Sequence, residues 1–267
     1  MEGIIKAVCI SEKRGTVKKN INEVNVIKDF GLEGDAHAGK WHRQVSFLSA
    51  DIVDEFNEKG ASVIEGDFGE NILAYGIDFK KLPVGTKLIC NDAKFEITQI
   101  GKECHSHCEI YKRVGDCIMP REGIFAKVLE SGTIKVGDKI EVIYPEKDMP
   151  YMAAVMTLSD KGSRGERVDT SGPRAAEILK EHGFKIVEEI LLPDEEAQIK
   201  NHLIRLSDSR QVDLIITTGG TGLSPRDRTP EATLAVADRN VPGISEAIRA
   251  GSMTITKRAM LSRGVSV

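Results

Sequence analysis

Up to residue 143, short runs of β-branched residues alternate with turns rich in Gly and Asp, a pattern that predicts strands. Two runs, LPVGTKLIC and IKVGDKIEVI, share a form often seen at the corners of small barrels: an apolar residue, then Val-Gly, then a strand. A helix is predicted over 49–60, capped by Ser49 and ended by Gly60. The predicted strands are 4–10, 45–49, 86–90, 94–100, 124–129 and 139–143.

After residue 150 the pattern changes, and aliphatic runs alternate with amphipathic segments. Strands are predicted over 151–159, 184–192 and 212–220, and helices over 171–183, 194–209 and 229–239. This order predicts a parallel sheet with right-handed crossovers. Ligands of such sheets bind beyond the carboxyl ends of the strands.

The segment YPEKDMPYM (144–152) separates the two patterns with two prolines and a small charge cluster, as linkers do. We therefore predict a mainly-β domain over 1–145 and an α/β domain over 151–267. The length of 267 residues suits two domains of roughly 100 to 200 residues each.

Composition narrows the class of function. A net charge of −4 does not favour general nucleic-acid binding. No apolar run approaches the ~20 residues of a membrane span, and the start MEGIIKAVCIS is too short and too weakly basic for a secretory signal. The five cysteines are an odd number and all precede residue 120. A cytoplasmic protein without a disulfide framework is expected, and its two domains should differ in chemistry.

The stretch ITTGGTGLSPRDRTPEAT is the most informative part of the second domain. Gly219, Gly220 and Gly222 follow a strand, so the backbone can approach a ligand and point N–H groups at an anion such as phosphate. Thr218 and Thr221 add hydroxyl donors. The loop is neither a P-loop nor the dinucleotide-binding GxGxxG. A tight strand-to-helix connection is the alternative interpretation.

Three acids are predicted to lie at the same edge of the sheet. Asp227 lies five residues beyond Gly222, Asp194 follows the second strand, and Asp160, after Ser159, ends the first. A carboxylate beside a phosphate is repulsive unless a metal ion separates them, and Mg²⁺ binds through one or two carboxylates plus substrate phosphates. The combination indicates metal-assisted phosphoryl or nucleotidyl transfer, although Asp160 and Asp194 could instead be helix caps.

The string TTGGTGLSPRDRTPEAT, the following VPGISEAIRAGS, and TLSD and LLPDEE upstream resemble the MogA/MoaB family of molybdenum cofactor biosynthesis. The resemblance covers about Met152 to Val267. It implies a trimeric α/β domain that transfers AMP from Mg-ATP to molybdopterin and releases pyrophosphate. Positioning and charge neutralisation would supply most of the catalysis.

The same resemblance implies residue roles. Asp194 and Asp227 match the catalytic acids that handle Mg-ATP and hold the magnesium ion through the nucleotide. Glu246, Arg249 and Ser252 match a helix edge near the ligand, with a solvated helix face as the alternative for Arg249. The residues that match the phosphate- and pterin-binding loop and its surroundings are Ser159, Asp160, Thr218, Gly219, Gly220, Thr221 and Gly222.

The resemblance also raises an expectation about the end of the sequence. Family members continue beyond LSRG into another strand and an Asn-Leu-Pro-Gly-Ser-Pro-like loop that helps to form the site. This sequence ends at GVSV. We therefore expect a C-terminally truncated α/β domain.

The first domain carries separate candidates in GKECHSHCEIYKRVGDCIMPREG. Cys104, His105, His107 and Cys108 are packed too tightly to surround one tetrahedral zinc easily, because structural sites bring two pairs from separate segments. Inert buried thiols are a second interpretation. A third is a thiolate favoured by neighbouring Lys and Arg residues, which would suit sulfur transfer or a soft metal centre.

Upstream lies GLEGDAHAGKWHRQVSFLS. Its Asp35, His37, Trp41, His42 and Arg43 could bind an anionic or planar ligand. The alternative is a surface loop with Trp41 as its one hydrophobic anchor.

These two stretches, together with EGDFGENI and GIFAKVLESGTIKVGD, resemble the MOSC domain of molybdenum cofactor sulfurases over about Met1 to Tyr144. The resemblance implies a β-barrel-like domain that binds molybdenum cofactor or carries sulfur. The notable cysteine of that family best matches Cys108, with Cys117 as the rival and Cys104 third.

Two modules of one pathway in one chain predict a protein of molybdenum cofactor biosynthesis, since fusion raises the local concentration of a shared pterin. The second domain would adenylylate molybdopterin with Mg²⁺ and ATP, independently of pyridoxal phosphate. The first would bind, modify or deliver the cofactor or its sulfur. Molybdoenzymes or other cofactor-biosynthesis proteins are the expected partners, with a homotrimer formed through the second domain. A cofactor carrier without turnover, or a scaffold, is the alternative.

Overall fold

The computed structural model describes residues 2–102, 111, 115–146 and 149–267. The chain divides into two compact units, Met1–Lys147 and Asp148–Val267. The division falls within the segment 144–152, where the hydrophobic pattern changes. Each unit is described by itself below.

The first unit consists mainly of strands. The strands are β1 (Glu2–Ile10), β2 (Lys19–Asn20), β3 (Glu23–Ile27), β4 (Gly31–Leu32), β5 (Val45–Ser49), β6 (Ile72–Tyr75), β7 (Lys87–Cys90), β8 (Ala93–Ile100), β9 (Ile124–Glu130), β10 (Gly132–Lys135) and β11 (Lys139–Ile143). Between them lie helix α1 (Ala50–Glu58), a 3-10 turn (Phe79–Lys81) and helix α2 (Met119–Glu122).

Seven of these strands close into a barrel in the order β1-β11-β7-β8-β9-β5-β6 and back to β1. Closure comes from β1 and β11, where Glu2 lies opposite Glu141 and Ile4 opposite Lys139. Adjacent strands are antiparallel, except that β5 and β6 are parallel and are connected through α1. A smaller sheet contains β10, β3 and β4. The predicted mainly-β barrel is confirmed.

Buried and exposed positions alternate along the strands, and the buried side chains form two apolar layers. Buried residues occupy every second position of β3 and β11, as expected when one face packs on a core. Inside the barrel, the Phe47 ring centroid lies 5.6 Å from that of Phe79 and 5.3 Å from that of Phe95. On the opposite face of β5, Leu48 belongs to a second apolar cluster that includes Val53 of α1.

Helix α1 differs from its prediction at the N-terminus. Ser49 occupies the N-cap position, but its hydroxyl makes no capping hydrogen bond and instead lies 3.4 Å from the Asp51 carboxylate. Ser49 is also the last residue of β5, so the strand sets the direction of its side chain. At the other end, Gly60 has a φ of +93° and follows the helix closely, as predicted.

The second unit alternates strands and helices. Its strands are β12 (Met152–Leu158), β13 (Lys185–Leu192) and β14 (Leu214–Thr218). Its helices are α3 (Asp160–Ser163), α4 (Ser171–Glu181), α5 (Glu196–Ile204), α6 (Thr229–Leu234) and α7 (Pro242–Ser252), with a π-helical turn at Arg205–Ser209 and a 3-10 turn at Lys257–Leu261.

Strand β12 lies between β13 and β14 and is parallel to both, which confirms the predicted α/β sheet. Met156 of β12 packs with Ile199 and Leu203 of α5 in the core. Helix α5 begins at Glu196, two residues later than predicted, so Asp194 precedes it rather than opening it. Among the helices in the described parts of the chain, none is both long and apolar enough to cross a bilayer.

The turn after β14 depends on glycine. Gly219 has a φ of +96°, and a Cβ there would overlap the carbonyl oxygen of Leu158 on the neighbouring strand. Gly220 has a φ of +59°, and its Cβ would overlap the Thr229 hydroxyl. Both the left-handed backbone and the close approach therefore exclude a side chain.

We expect Gly219→Ala to lower the free energy of unfolding of the second unit by about 2–4 kcal/mol, from left-handed strain plus overlap with the backbone. The matched control is Gly243→Ala, because Gly243 lies in α7 with nothing within 4 Å of an added Cβ. That change should be neutral or stabilise by about 0.5–1 kcal/mol. Urea unfolding followed by circular dichroism measures both, and equal effects would contradict the steric explanation.

Candidate functional site

The carboxyl ends of the three parallel strands bring the predicted acids and the glycine loop together. In the sheet register, Leu158 of β12 pairs with Leu192 of β13, and Thr157 pairs with Thr218 of β14. Asp160, Asp194 and the Gly219–Gly222 loop each follow within a few residues of those positions. The site is therefore built where a parallel sheet is expected to bind ligands.

Asp160 and Asp194 are joined by two reciprocal hydrogen bonds. The backbone N–H of Asp160 donates to Oδ2 of Asp194 at 3.0 Å, and the backbone N–H of Asp194 donates to Oδ1 of Asp160 at 3.0 Å. Arg226 neutralises Asp160 with two further bonds, from Nε at 2.9 Å and Nη2 at 2.8 Å. These bonds from Arg226 are the main reason that the pKa of Asp160 lies below its usual value.

Asp194 is the acid best placed to receive a cation. Its Oδ1 is buried and has no hydrogen-bond partner among the described residues. Burial raises the pKa of this carboxyl, and the negative charges of Asp160 and Asp227 add to the increase. A Cβ on Gly220 would lie only 2.9 Å from Oδ1, so a glycine at this position avoids a close contact with this oxygen. Such a buried oxygen requires a partner, and a hard cation would supply one.

Asp227 lies beside the same loop. Its Oδ2 accepts a hydrogen bond from the Ser224 backbone N–H at 2.9 Å, and a Cβ on Gly222 would lie 2.8 Å from that oxygen. In the described ranges, no group of three or more His, Cys, Asp or Glu side chains is arranged to hold a metal ion. Asp194 and Asp227 thus fit Mg²⁺ held jointly with substrate phosphates, whereas Asp160 is already paired with Arg226.

Thr229, at the start of α6, shapes the glycine loop and was not identified from the sequence. Its hydroxyl donates to the Gly219 carbonyl at 3.0 Å, and its backbone N–H donates to the Gly220 carbonyl at 3.2 Å. These bonds turn the two carbonyls toward the helix. Thr218 and Thr221, predicted as hydroxyl donors, are partly exposed on either side of the two glycines.

Arg263 is a second site residue that was not identified from the sequence. Its Nε donates to the Gly222 carbonyl at 2.6 Å, Nη2 donates to the Asp227 carbonyl, and Nη1 pairs with the Glu231 carboxylate. The hydrogen bond from Arg263 lowers the pKa of Glu231. Nothing in the spacing of Arg263 along the chain distinguishes it from the other arginines, so only the folded structure identifies it.

The remaining candidates of this unit differ in their contacts. Ser159 caps α3, since its Oγ accepts from the Gly162 N–H at 3.1 Å. Glu246 is exposed on α7. Arg249 donates from Nη1 to the Gly264 carbonyl at 2.7 Å, and Ser252 ends the helix. Within the described residues, Arg249 thus connects to the loop only through the segment 262–264.

In the first unit, Cys104, His105, His107 and Cys108 lie outside the described residues. Cys117 is 6% exposed and belongs to the apolar cluster of Leu48 and Val53. Arg121, a cation expected to favour a thiolate, pairs with both Asp116 oxygens, at 2.9 and 2.8 Å. Burial raises the pKa of Cys9 and of Cys90 to about 12, so both behave as inert thiols.

Asp35 anchors the loop that carries the other candidates of this unit. Its buried carboxylate accepts hydrogen bonds from Lys18 Nζ at 2.8 Å, Asn71 Nδ2 at 2.9 Å and the Ser11 N–H at 3.1 Å. Burial opposes ionisation, but the bonds from His37 and Lys18 outweigh it and hold the pKa of Asp35 well below its usual range. Asp35 therefore has a supporting role within the loop.

Trp41 is not a buried anchor, because it is 41% exposed. Its Nε1 donates to the His37 carbonyl at 3.2 Å. The Arg43 guanidinium lies 4.8 Å from the Trp41 ring centroid and 5.6 Å from that of Phe125. His42 places its Nε2 2.9 Å from Oε1 of Gln99. An aromatic ring with basic neighbours is thus held at the surface of the barrel unit.

Comparison with known families agrees with the division of the chain. Residues 34–141 match the MOSC domain family. Residues 154–267 match the family described as the probable molybdopterin binding domain.

Relatives of known name align with the second unit. Molybdopterin adenylyltransferase of Escherichia coli is 42% identical over 116 residues, which cover 42% of this chain and 59% of the relative. Molybdopterin adenylyltransferase of Helicobacter pylori is 40% identical over 111 residues, which cover 41% of this chain and 63% of the relative. The chain thus spans about three-fifths of the length of these relatives.

Solved structures show the same relationship. The molybdopterin biosynthesis enzyme MoaB from Thermus thermophilus is 47% identical, with a TM-score of 0.41, and the match covers 43% of this chain and 72% of that one. The chain therefore combines, in its first unit, a region that matches the MOSC domain family and, in its second, a region that matches the probable molybdopterin binding domain family.

Proposed function

We propose that the second unit transfers AMP from Mg-ATP to molybdopterin. The observation that carries the proposal is the buried Oδ1 of Asp194, which has no hydrogen-bond partner among the described residues, lies beside Gly220 and is within electrostatic reach of Asp227. The names of the related adenylyltransferases support the same chemistry. A carrier that binds the cofactor without turnover is the alternative.

In this proposal each part of the site has one task. The backbone N–H groups of the Gly219–Gly222 loop bind phosphate oxygens. Asp194 and Asp227 hold Mg²⁺, which would neutralise charge on the triphosphate. An acceptor oxygen forms a bond to the α-phosphorus as the bond to the β-phosphate oxygen breaks, and pyrophosphate leaves. Arg226 keeps Asp160 paired, so that the negative charge of Asp160 does not oppose the nucleotide.

We expect molybdopterin-dependent pyrophosphate release from Mg-ATP, and a fall in kcat of at least roughly 100-fold in Asp227→Asn and Asp194→Asn. Asp238→Asn is the matched control, because Asp238 lies in the same unit but outside the glycine loop and the strand ends. Its rate should match that of the unaltered chain. Equal rates in all four proteins would contradict the assigned roles. Bound pterin without any pyrophosphate release would favour the carrier.

For the first unit we propose that the MOSC domain binds the same pterin at the surface around Trp41. The exposed aromatic ring offers a stacking face, and His37 and Lys40 add positive or hydrogen-bonding groups beside it. Burial of Cys117 favours Cys108 or Cys104 as the reactive thiol for binding or delivery of sulfur. The choice between Cys108 and Cys104 stays a prediction.

Trp41 is the only tryptophan of the chain, so its fluorescence reports on this surface alone. We expect saturable quenching on titration with pterin-6-carboxylate or molybdopterin, and weaker binding in Lys40→Met because one cation is lost. Lys59→Met is the control, since Lys59 is exposed at the end of α1. If the Trp41 emission stays constant after correction for absorption by the pterin, the proposed binding of pterin at this surface is refuted.

We further propose that the second unit forms homotrimers through α7 and the turn after it. Large apolar side chains are exposed there: Ile248 is 62% and Ile255 88% exposed. Large apolar side chains exposed to solvent favour association between proteins when they form one patch. The cytoplasmic location and the expected partners, molybdoenzymes or other cofactor-biosynthesis proteins, stay predictions.

Light scattering of the chain should give three times its mass, and Ile248→Asp should reduce it to one chain, because a buried unpaired charge opposes the contact. Ile64→Asp is the control: Ile64 is 66% exposed but lies in the first unit, so the trimer should persist. A single-chain mass for the unaltered protein at micromolar concentration would exclude the proposal.

A further inference from the structure

The polypeptide between Gly222 and Asp227 has little packing of its own. Leu223, Ser224, Pro225 and Arg226 are all exposed. The glycines of the preceding turn allow many backbone conformations, so more conformational entropy is lost when the loop becomes ordered. Arg226 ties this stretch to Asp160, and a further interaction from outside the loop acts on its two ends.

Arg263 supplies that interaction at both ends of the stretch. Its Nε binds the carbonyl oxygen of Gly222, and its Nη2 binds that of Asp227. Nη1 pairs with Glu231 of α6, so the planar guanidinium joins the two loop ends to the following helix. No other cation type matches this geometry, because only the arginine fork presents several donors in fixed directions.

The segment that carries Arg263 is itself held in place. The Arg263 backbone N–H donates to the Thr221 carbonyl at 2.9 Å. Arg249 of α7 binds the Gly264 carbonyl at 2.7 Å, and the Val241 N–H donates to the Ser266 carbonyl at 2.8 Å. Arg249 and Arg263 therefore act in series: α7 holds the segment, and the segment holds the loop.

We propose that Arg263 is the positioning residue of the glycine loop, and that Arg249 supports it through the segment 262–264. Arg263 acts through backbone carbonyls and Glu231, and it needs no contact with the nucleotide. It keeps the loop N–H groups and Asp227 in the arrangement that receives phosphate and magnesium. The expected effect on the nucleotide rests on the proposed function of the second unit, but the effect on the loop does not.

Hydrogen–deuterium exchange of the full chain without nucleotide tests the effect on the loop directly. In Arg263→Met and Arg263→Lys, the hydrogen-bonded amides of Ser224, Arg226 and Asp227 should exchange at least roughly tenfold faster, as expected when hydrogen bonds worth about 1.4 kcal/mol are lost. Lysine should fail to rescue because it cannot reach both carbonyls and Glu231 together. Arg258→Met is the matched control, since Arg258 is exposed in the same unit. Unchanged loop exchange in Arg263→Met would overturn the proposal.

Steady-state kinetics then distinguish a loss of loop positioning from a general loss of protein stability. Arg263→Met should raise KM for Mg-ATP at least roughly tenfold while kcat changes by less than about threefold. Arg249→Met should change KM in the same direction and by a smaller factor. A fall in kcat at constant KM would indicate a smaller folded fraction and overturn the positioning role. If the unaltered chain releases no pyrophosphate, the adenylyltransferase proposal fails, while the exchange result still decides the role of Arg263.

Discussion

Asp160 and Asp194 exchange hydrogen bonds between carboxylate and backbone across the ends of β12 and β13. This arrangement places two acids of like charge in contact, which is tolerable only because Arg226 neutralises one of them. The other, Asp194, has a raised pKa and a buried oxygen that finds no hydrogen-bond partner in the described parts of the chain. The surroundings of the site are arranged around this pair, with Arg226 bound to Asp160 and the glycine loop beside Asp194.

The architecture could be predicted because it follows from local patterns. Alternating β-branched runs predicted the barrel, and the βαβ order predicted the parallel sheet with its ligand edge. Shorter strands such as β2 and β4 were not recognised, since two residues carry no periodicity. The parallel pairing of β5 with β6 was missed because β6 itself was not among the predicted strands.

The site was predicted as far as its residues stand beside strand ends or glycines. Asp194 and Asp227 were identified in this way, and the structure brings both to the loop. Thr229 and Arg263 could not be identified, because their importance lies in backbone carbonyls that only the folded chain brings near them. When a residue binds other side chains, the types of its partners can be seen in the sequence. When it binds backbone carbonyls, the sequence contains no such sign.

The closure of the barrel by β1 and β11 has a consequence for the order of folding. Glu2 and Glu141 are paired although 139 positions separate them (141 − 2), so the beginning of β1 gains its partner β11 only after almost the whole unit has been synthesised. Contacts of such long sequence separation are slow to form because the entropy of loop closure must be overcome first. On the ribosome, the edge of β1 that later pairs with β11 therefore stays open until the linker emerges. The barrel can therefore complete its folding only when the linker emerges, at a stage when most of the α/β unit has still to be synthesised.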